Sequence, residues 1–304
     1  MKISIIFKLA ILILLTACES ATQSNYKSYY VVESYLVANR QLPQVRLSTT
    51  NPINNVYSFE DVAVANAEVQ IRLLQDDLST IDEVFTYSSD SAGIYNAILE
   101  HKVKPARTYQ LHISLNEGTD IITANTFIPE FFEVISQIPD IIVYQSTEQL
   151  EITLSETSSF TDQSVFIFNT LAQQPIYENL TPLYYDFYVQ EKDSVEAEKR
   201  LAEFSITSSG LLNEANFSNN TDGTVTIRYP WLAVAFFGDN KLVASTVDNN
   251  IYDFLRSASV QLGGSTLSPG EIQNTINRIN GGIGIFGSMA SDTIDVFIKR
   301  NFEI

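Results

Sequence analysis

The 304-residue chain holds a single cysteine, Cys18. No disulfide can form within it, so its stability has to come from packing alone. Histidine occurs only twice, at His101 and His112, which together with one thiol leaves no set for a zinc site. Positive charge is scarce: 18 Lys and Arg stand against 36 Asp and Glu, a formal charge of −18. A chain of that sign does not neutralise phosphates, and nucleic acid is excluded as a partner. Glycine numbers 12 and follows no period, which removes collagen-like and repeat architectures. No Gly-x-Ser-x-Gly, His-Glu-x-x-His or Walker loop is present. Hydrophobic residues make up 45%, too many for a disordered chain.

Long apolar runs are confined to the first residues. Lys2 and Lys8 precede the uncharged stretch from Leu9 to Leu15. That stretch falls short of the roughly 20 apolar residues needed to span a bilayer and reads as a signal peptide, residues 1–17. It ends in Leu15-Thr16-Ala17-Cys18, which resembles the bacterial lipobox. The resemblance implies cleavage before Cys18, acylation of that residue, and a lipidated tether over residues 18–27. Three acyl chains would hold far more firmly than the marginal single one. Glu19, rather than Asp, succeeds the cysteine and favours the outer membrane.

Period-two patterning dominates the chain beyond the tether. Val69, Ile71 and Leu73 alternate with Glu68, Gln70 and Arg72, and Tyr109, Leu111, Ile113 and Leu115 with Thr108, Gln110, His112 and Ser114. Strands are expected near 29–38, 44–50, 67–73, 82–87, 93–98, 107–116 and 120–127. Short strands with turns at such spacing predict an immunoglobulin-like or transthyretin-like β-sandwich over residues 28–130. In it, Tyr95 and Tyr109 sit at corners. Pro129 and Pro139 bracket an expected boundary near 129–139.

Residues 131–304 predict a larger β-rich domain with a few helices. Strands are expected around 149–154, 224–229 and 292–300. Ile251, Phe254, Leu255, Ala258 and Leu262 share one helical face, predicting a helix near 250–262 capped by Asp248 or Asn249. Ser268-Pro269-Gly270-Glu271 has the form of a capping box and predicts a second helix near 269–279, ended by Gly281-Gly282. Glu191 to Glu203 reads as a charged, exposed helical excursion.

Chemistry-bearing patterns are few. Gly282-Ile283-Gly284-Ile285-Phe286-Gly287 spells Gly-x-Gly-x-x-Gly, yet only 17 residues remain after it and nothing upstream forms a βαβ unit. A turn into an apolar strand is the expectation. The carboxylates at Asp76-Asp77, Glu130 with Glu133 and Asp292 with Asp295 are numerous enough to be a solvated surface, and no cofactor or metal is expected. His112 falls on the polar side of its strand and His101 in a turn. In Tyr184-Tyr185-Asp186-Phe187-Tyr188, strand alternation puts Tyr184, Asp186 and Tyr188 on one face and Tyr185 with Phe187 on the other. Tyr184, Tyr185, Tyr188 and Trp231 are the candidate binding surface, core filling being the alternative.

Taken in order, the lipobox, Val31-Val32-Glu33-Ser34-Tyr35-Leu36, Gly93-x-Tyr95, Tyr109-x-Leu111, Tyr252-Asp253-Phe254-Leu255 and Ile279-Asn280-Gly281-Gly282-Ile283-Gly284-Ile285-Phe286-Gly287 resemble a Bacteroidetes lipoprotein family. It is known only as the domain of unknown function numbered 4249. Ser34 stands where a Gly is common in its members. The resemblance covers essentially all of the chain after Cys18 and carries no catalytic residue. It implies an outer-membrane or cell-surface lipoprotein, non-enzymatic, serving as accessory or ligand-capturing subunit beside a TonB-dependent receptor. A structural or adhesive spacer, and a hydrolase using carboxylates, are the alternatives.

Overall fold

The computed structural model describes residues 26–301 except 53, 137, 147–149, 157–164, 192, 214–216 and 262–274. The fold is mainly β. Its N-terminal part runs β1 (Tyr30–Val37), β2 (Val45–Thr49), a single turn α1 (Phe59–Val62), β3 (Glu68–Leu74), β4 (Ile81–Ser91), β5 (Ile94–Ala97), β6 (Thr108–Leu115) and β7 (Asp120–Phe127). All seven strands lie where period-two alternation predicts them. The first half of β4 pairs with β3 and its second half with β5, so this strand passes from one layer to the other and forms a sandwich corner. One layer is β1-β2-β5-β4, the other β4-β3-β6-β7. Val32, Leu47, Ile71 and Leu111, each with no measurable exposure, share the core between them.

The tyrosines expected at corners are there. The Tyr109 hydroxyl accepts from Lys104 N at 2.9 Å, and the Tyr95 hydroxyl donates to Val64 O at 2.8 Å while accepting from Ala67 N. Each pins a crossing loop with one buried polar atom.

The remaining chain forms β8 (Ile141–Val143), β9 (Glu151–Leu154), β10 (Val165–Ala172), α2 (Pro182–Gln190), α3 (Ser194–Phe204), β11 (Ile206–Ser208), β12 (Leu212–Asn213), β13 (Ser218–Asn219), β14 (Val225–Arg228), β15 (Gly238–Val247), α4 (Asn249–Gln261), β16 (Ile279–Asn280) and β17 (Ile283–Lys299). β10, β15 and β17 are the centre of its main layer, and the small sheet β13-β14-β9 brings Ile152, Leu154, Val225 and Ile227 into one core with Phe166 and Phe168.

The 17-residue β17 ties the molecule together. Ile283–Met289 run parallel to β1, and Met289–Ile298 run antiparallel to β15. The boundary expected near 129–139 is therefore crossed by two ladders: β1 with β17, and β7 with β16 through Ile279↔Ala124. The hydrophobic cluster is likewise continuous across it. The edge that the N-terminal strands leave open is filled from the far end of the sequence, a pairing no local pattern encodes.

Two expected elements differ. The stretch 184–188 is helical, not extended: Pro182 occupies the first helical turn after Thr181, which favours helix entry. Tyr184 and Tyr188 still share a face, now at i and i+4, but Asp186 does not join them. The helix expected at 269–279 begins in residues outside those described, and its end is not helical, because Ile279 and Asn280 pair with β7. Gly281-Gly282 then turn the chain from β16 into β17. As expected, the Gly-x-Gly-x-x-Gly run is the entry to an apolar strand. A Cβ on Gly284, at φ +111°, would meet Val32 O at 2.2 Å.

Candidate functional site

Two places combine shape with chemistry. The first is a cavity of about 200 Å³ where the two halves meet. The end of β7 (Asn125–Phe127) and Pro129 line it from one side, the β15–α4 corner (Val247–Asn250) from the other, and Tyr252 and Arg278 complete the lining. Local chemistry builds the corner. Asp248 accepts the Ile251 N–H at 2.9 Å through Oδ1, capping α4 as expected. The Asn250 amide donates to Asn125 O and to Phe286 O, both at 2.7 Å, stitching the helix to both halves. Arg278 is held by Asp253.

Asp248 is only 9% exposed. Its Oδ2 lies 2.6 Å from Thr126 Oγ1, which lies 2.8 Å from Ser288 Oγ, which donates to Phe127 O at 2.7 Å. Burial pushes the carboxyl up to about 6, against hydrogen bonds from Thr126 and from backbone N–H groups that favour the ionised form. The chain of contacts is complete when Asp248 is protonated: Asp248 donates to Thr126, Thr126 to Ser288, and Ser288 to Phe127 O. When Asp248 is ionised, Thr126 donates to it instead, and the Thr126–Ser288 contact holds no proton while Ser288 serves Phe127 O.

The second place is the aromatic end formed by α2. The Tyr184 hydroxyl donates to Leu232 O at 2.8 Å, and its ring meets Phe204 edge-on at 4.9 Å. Tyr188 lies 5.1 Å from the Tyr177 ring, and the Tyr177 hydroxyl donates to that of Tyr185 at 3.1 Å. The candidate residues Tyr184, Tyr185 and Tyr188 thus share one helix. Trp231 faces elsewhere, packing on Tyr144 at 5.3 Å against the core, although its neighbour Leu232 receives Tyr184.

Several of the other carboxylates and one histidine are engaged in structural bonds. Asp77 accepts from Ser79 N and Thr80 N and from the Thr80 hydroxyl, which holds its carboxyl down at about 2. Asp292 accepts from Val134 N, and Asp295 pairs with Lys241. Asp222 accepts from Thr224 N in the turn between β13 and β14. His101 is not solvated in its turn: it stacks on Phe85 at 4.1 Å and bonds the Tyr109 hydroxyl. His112 is half-buried, and burial together with Arg72 lowers its pKa. Among the described residues no three His, Cys, Asp or Glu side chains are grouped to hold a metal, and no helix is long and apolar enough to cross a membrane. Apart from its cap, the Asp248 network leaves no local mark in the sequence, since Thr126 and Ser288 are far away in the chain.

A family model described as "Domain of unknown function (DUF4249)" matches residues 18–295. The chain belongs to the DUF4249 family. No curated protein matches. Among solved structures, Escherichia coli alpha-2-macroglobulin activated by porcine elastase aligns over 90% of this chain and 23% of its own, at 9% identity and a TM-score of 0.23. The three N-terminal domains of the bacteriophage RB49 highly immunogenic outer capsid protein (Hoc) align over 90% of this chain and 71% of theirs, at 9% identity and a TM-score of 0.22. The chain therefore spans about a quarter of the first of these structures.

Proposed function

We propose that this DUF4249 protein is a lipid-anchored lipoprotein of the outer membrane. In this reading it serves, without catalysing a reaction, as the ligand-capturing or accessory subunit of a TonB-dependent transport system. The observation that carries the reading is positional. The family match opens at Cys18, the residue that closes the lipobox, and the described body begins at Tyr26, after a tether of small and polar residues. The junction cavity supports the capture role. It lies between two halves, its volume of about 200 Å³ would suit only a ligand smaller than the usual drug-sized one, and Asn125, Asn250 and Tyr252 line it beside Asp248 and Arg278.

The reading is tested in cells producing the full chain. Cys18→Ala is expected to abolish palmitate incorporation and to release the protein from the outer-membrane fraction. A mild-detergent pull-down of the native protein is expected to recover a TonB-dependent receptor. Retained label in the variant overturns the anchor, and recovery of the protein alone under several nutrient conditions overturns the transport role.

A further inference from the structure

Helix α2 has the composition of a buried helix and the exposure of a surface one. In Pro182–Gln190 only Asp186 and Gln190 are polar, yet none of the nine residues is buried. A helix apolar on all sides normally lies in a core or an interface. Here Tyr184 and Tyr188 face the body, while Leu183 and Phe187 flank one side and Tyr185 and Val189 the other. Ile176, Tyr177 and Leu232 extend the surface. These large side chains are about 40–60% exposed. Together they present on the order of 600 Å² of apolar and aromatic area, at the upper end of the largest patches that ordinary monomers carry, which are often functional. That approaches the roughly 800 Å² that one partner contributes to a standard interface.

The position of the patch is fixed by β17. At the strand's start, Ile283 pairs with Val31, close to where Tyr26 and Tyr29 bond Thr50. At its end, Arg300 donates to Glu178 O at 2.7 Å, and Phe237 N donates to Asn179 O, three residues before α2. Seventeen residues of strand extend for about 50 Å, and even a right-angle bend at Met289 leaves the ends roughly 38 Å apart. The eight residues from Cys18 to Tyr26 reach at most about 28 Å. The patch therefore lies at the other end of β17 from the attachment point, beyond the reach of the tether.

Charge narrows the occupant. Lys199 and Arg200 on α3 are matched to Glu196 and Glu191. Glu178, Asp186, Glu198 and Glu203 are exposed and form no ion pair among the described residues. The rim is net acidic, which disfavours a second copy of a chain carrying −18.

We propose that α2, with Ile176, Tyr177 and Leu232, is the docking surface for a different protein whose contact face is apolar and rimmed by Lys and Arg. This deepens the lipoprotein reading and rests on it for the placement of the patch away from the anchored end. The test places a photo-crosslinking phenylalanine at Phe187, and as a control at Ile121 near the attachment pole, in the full chain in producing cells. Phe187 is 47% and Ile121 43% exposed, so neither replacement disturbs the core. Position 187 is expected to give one discrete protein adduct, absent at 121, whose cross-linked peptide carries Lys or Arg. Its yield is expected to fall at least five-fold in the Glu178→Lys, Glu198→Lys double variant. An adduct to a second copy, an adduct to lipid only, no adduct above control, or a yield indifferent to charge reversal each overturns the proposal. Palmitate labelling of the same cells separates the two readings. Absent label with an intact adduct removes only the anchor, and intact label without an adduct removes only the docking surface.

Discussion

Replacing Asp248 by Asn should stabilise the protein at neutral pH, although the change removes a charged helix cap. Asn is as good an N-cap as Asp and keeps an oxygen for the Ile251 N–H. Its amide would donate to Thr126 Oγ1, freeing the Thr126 hydroxyl for Ser288 and the Ser288 hydroxyl for Phe127 O, so every contact in the chain gains its proton. The carboxyl's rise from the ordinary 3.8 to about 6 sets the sign and the order of magnitude. The folded state binds the Asp248 proton more tightly than the unfolded state. The associated stability is complete below about pH 4 and is lost as pH climbs through about 6. At about 1.4 kcal/mol for each tenfold change, the loss amounts to about 3 kcal/mol by pH 8 and roughly half that at pH 5. Urea unfolding of both proteins at pH 8, 5 and 4 should therefore give a difference of about 3 kcal/mol in favour of Asn at pH 8, shrinking towards zero at pH 4. Comparing the two proteins at each pH cancels the titration of the other carboxylates. An Asn variant that is less stable at pH 8, or a difference that does not change with pH, would refute the reasoning.

Three other outcomes rest on the packing. Gly284→Ala should cost at least about 3 kcal/mol, because its Cβ meets the Val32 backbone oxygen at positive φ, while Gly287→Ala should cost less, since its φ is not positive and the atoms nearest its Cβ belong to the side chains of Ile251 and Asp248, not to backbone; equal melting temperatures would contradict this ordering. Tyr229→Phe should cost about 1–2 kcal/mol by leaving the buried Thr170 hydroxyl without its partner at 2.5 Å, and adding Thr170→Val should recover part of that in a double-mutant cycle. A fragment of residues 28–130 should keep its seven strands but associate through the open β1 edge, read as a dimer or larger by light scattering; a monodisperse monomer would show that the β17 pairing is dispensable.

The strands of the N-terminal half were legible because each has one face in a core and one in water, which period two reports directly. The corner tyrosines and the cap at Asp248 were legible for a similar reason, being local. The helix α2 was not, because Tyr and Phe favour strands and the run of aromatics outweighed the Thr181-Pro182 entry signal that stood beside it. Half of β17 was legible as a closing strand. Its glycine-rich start was legible as a turn into an apolar strand, but its parallel pairing with β1 was not, since no local pattern names a partner at the other end of the chain. The candidate cavity depends on contacts between residues 122 and 162 positions apart, Thr126 with Asp248 and with Ser288, and composition holds no record of such distances.

The parallel pairing of β1 with β17 also decides how the molecule answers a pull. Tension from a tether before Tyr30 enters β1 at its first residue, and tension from the α2 pole enters β17 at its last. The seven register pairs from Val31↔Ile283 to Val37↔Met289 then lie along the line of force. In that geometry the strands must slide past one another, so the hydrogen bonds are strained together in shear instead of opening one by one like a zipper. Rupture under force is governed by the unfolding barrier and not by the equilibrium stability. The same seven pairs loaded from a single end would part at far lower tension, so the direction of pull becomes a property written into the strand order.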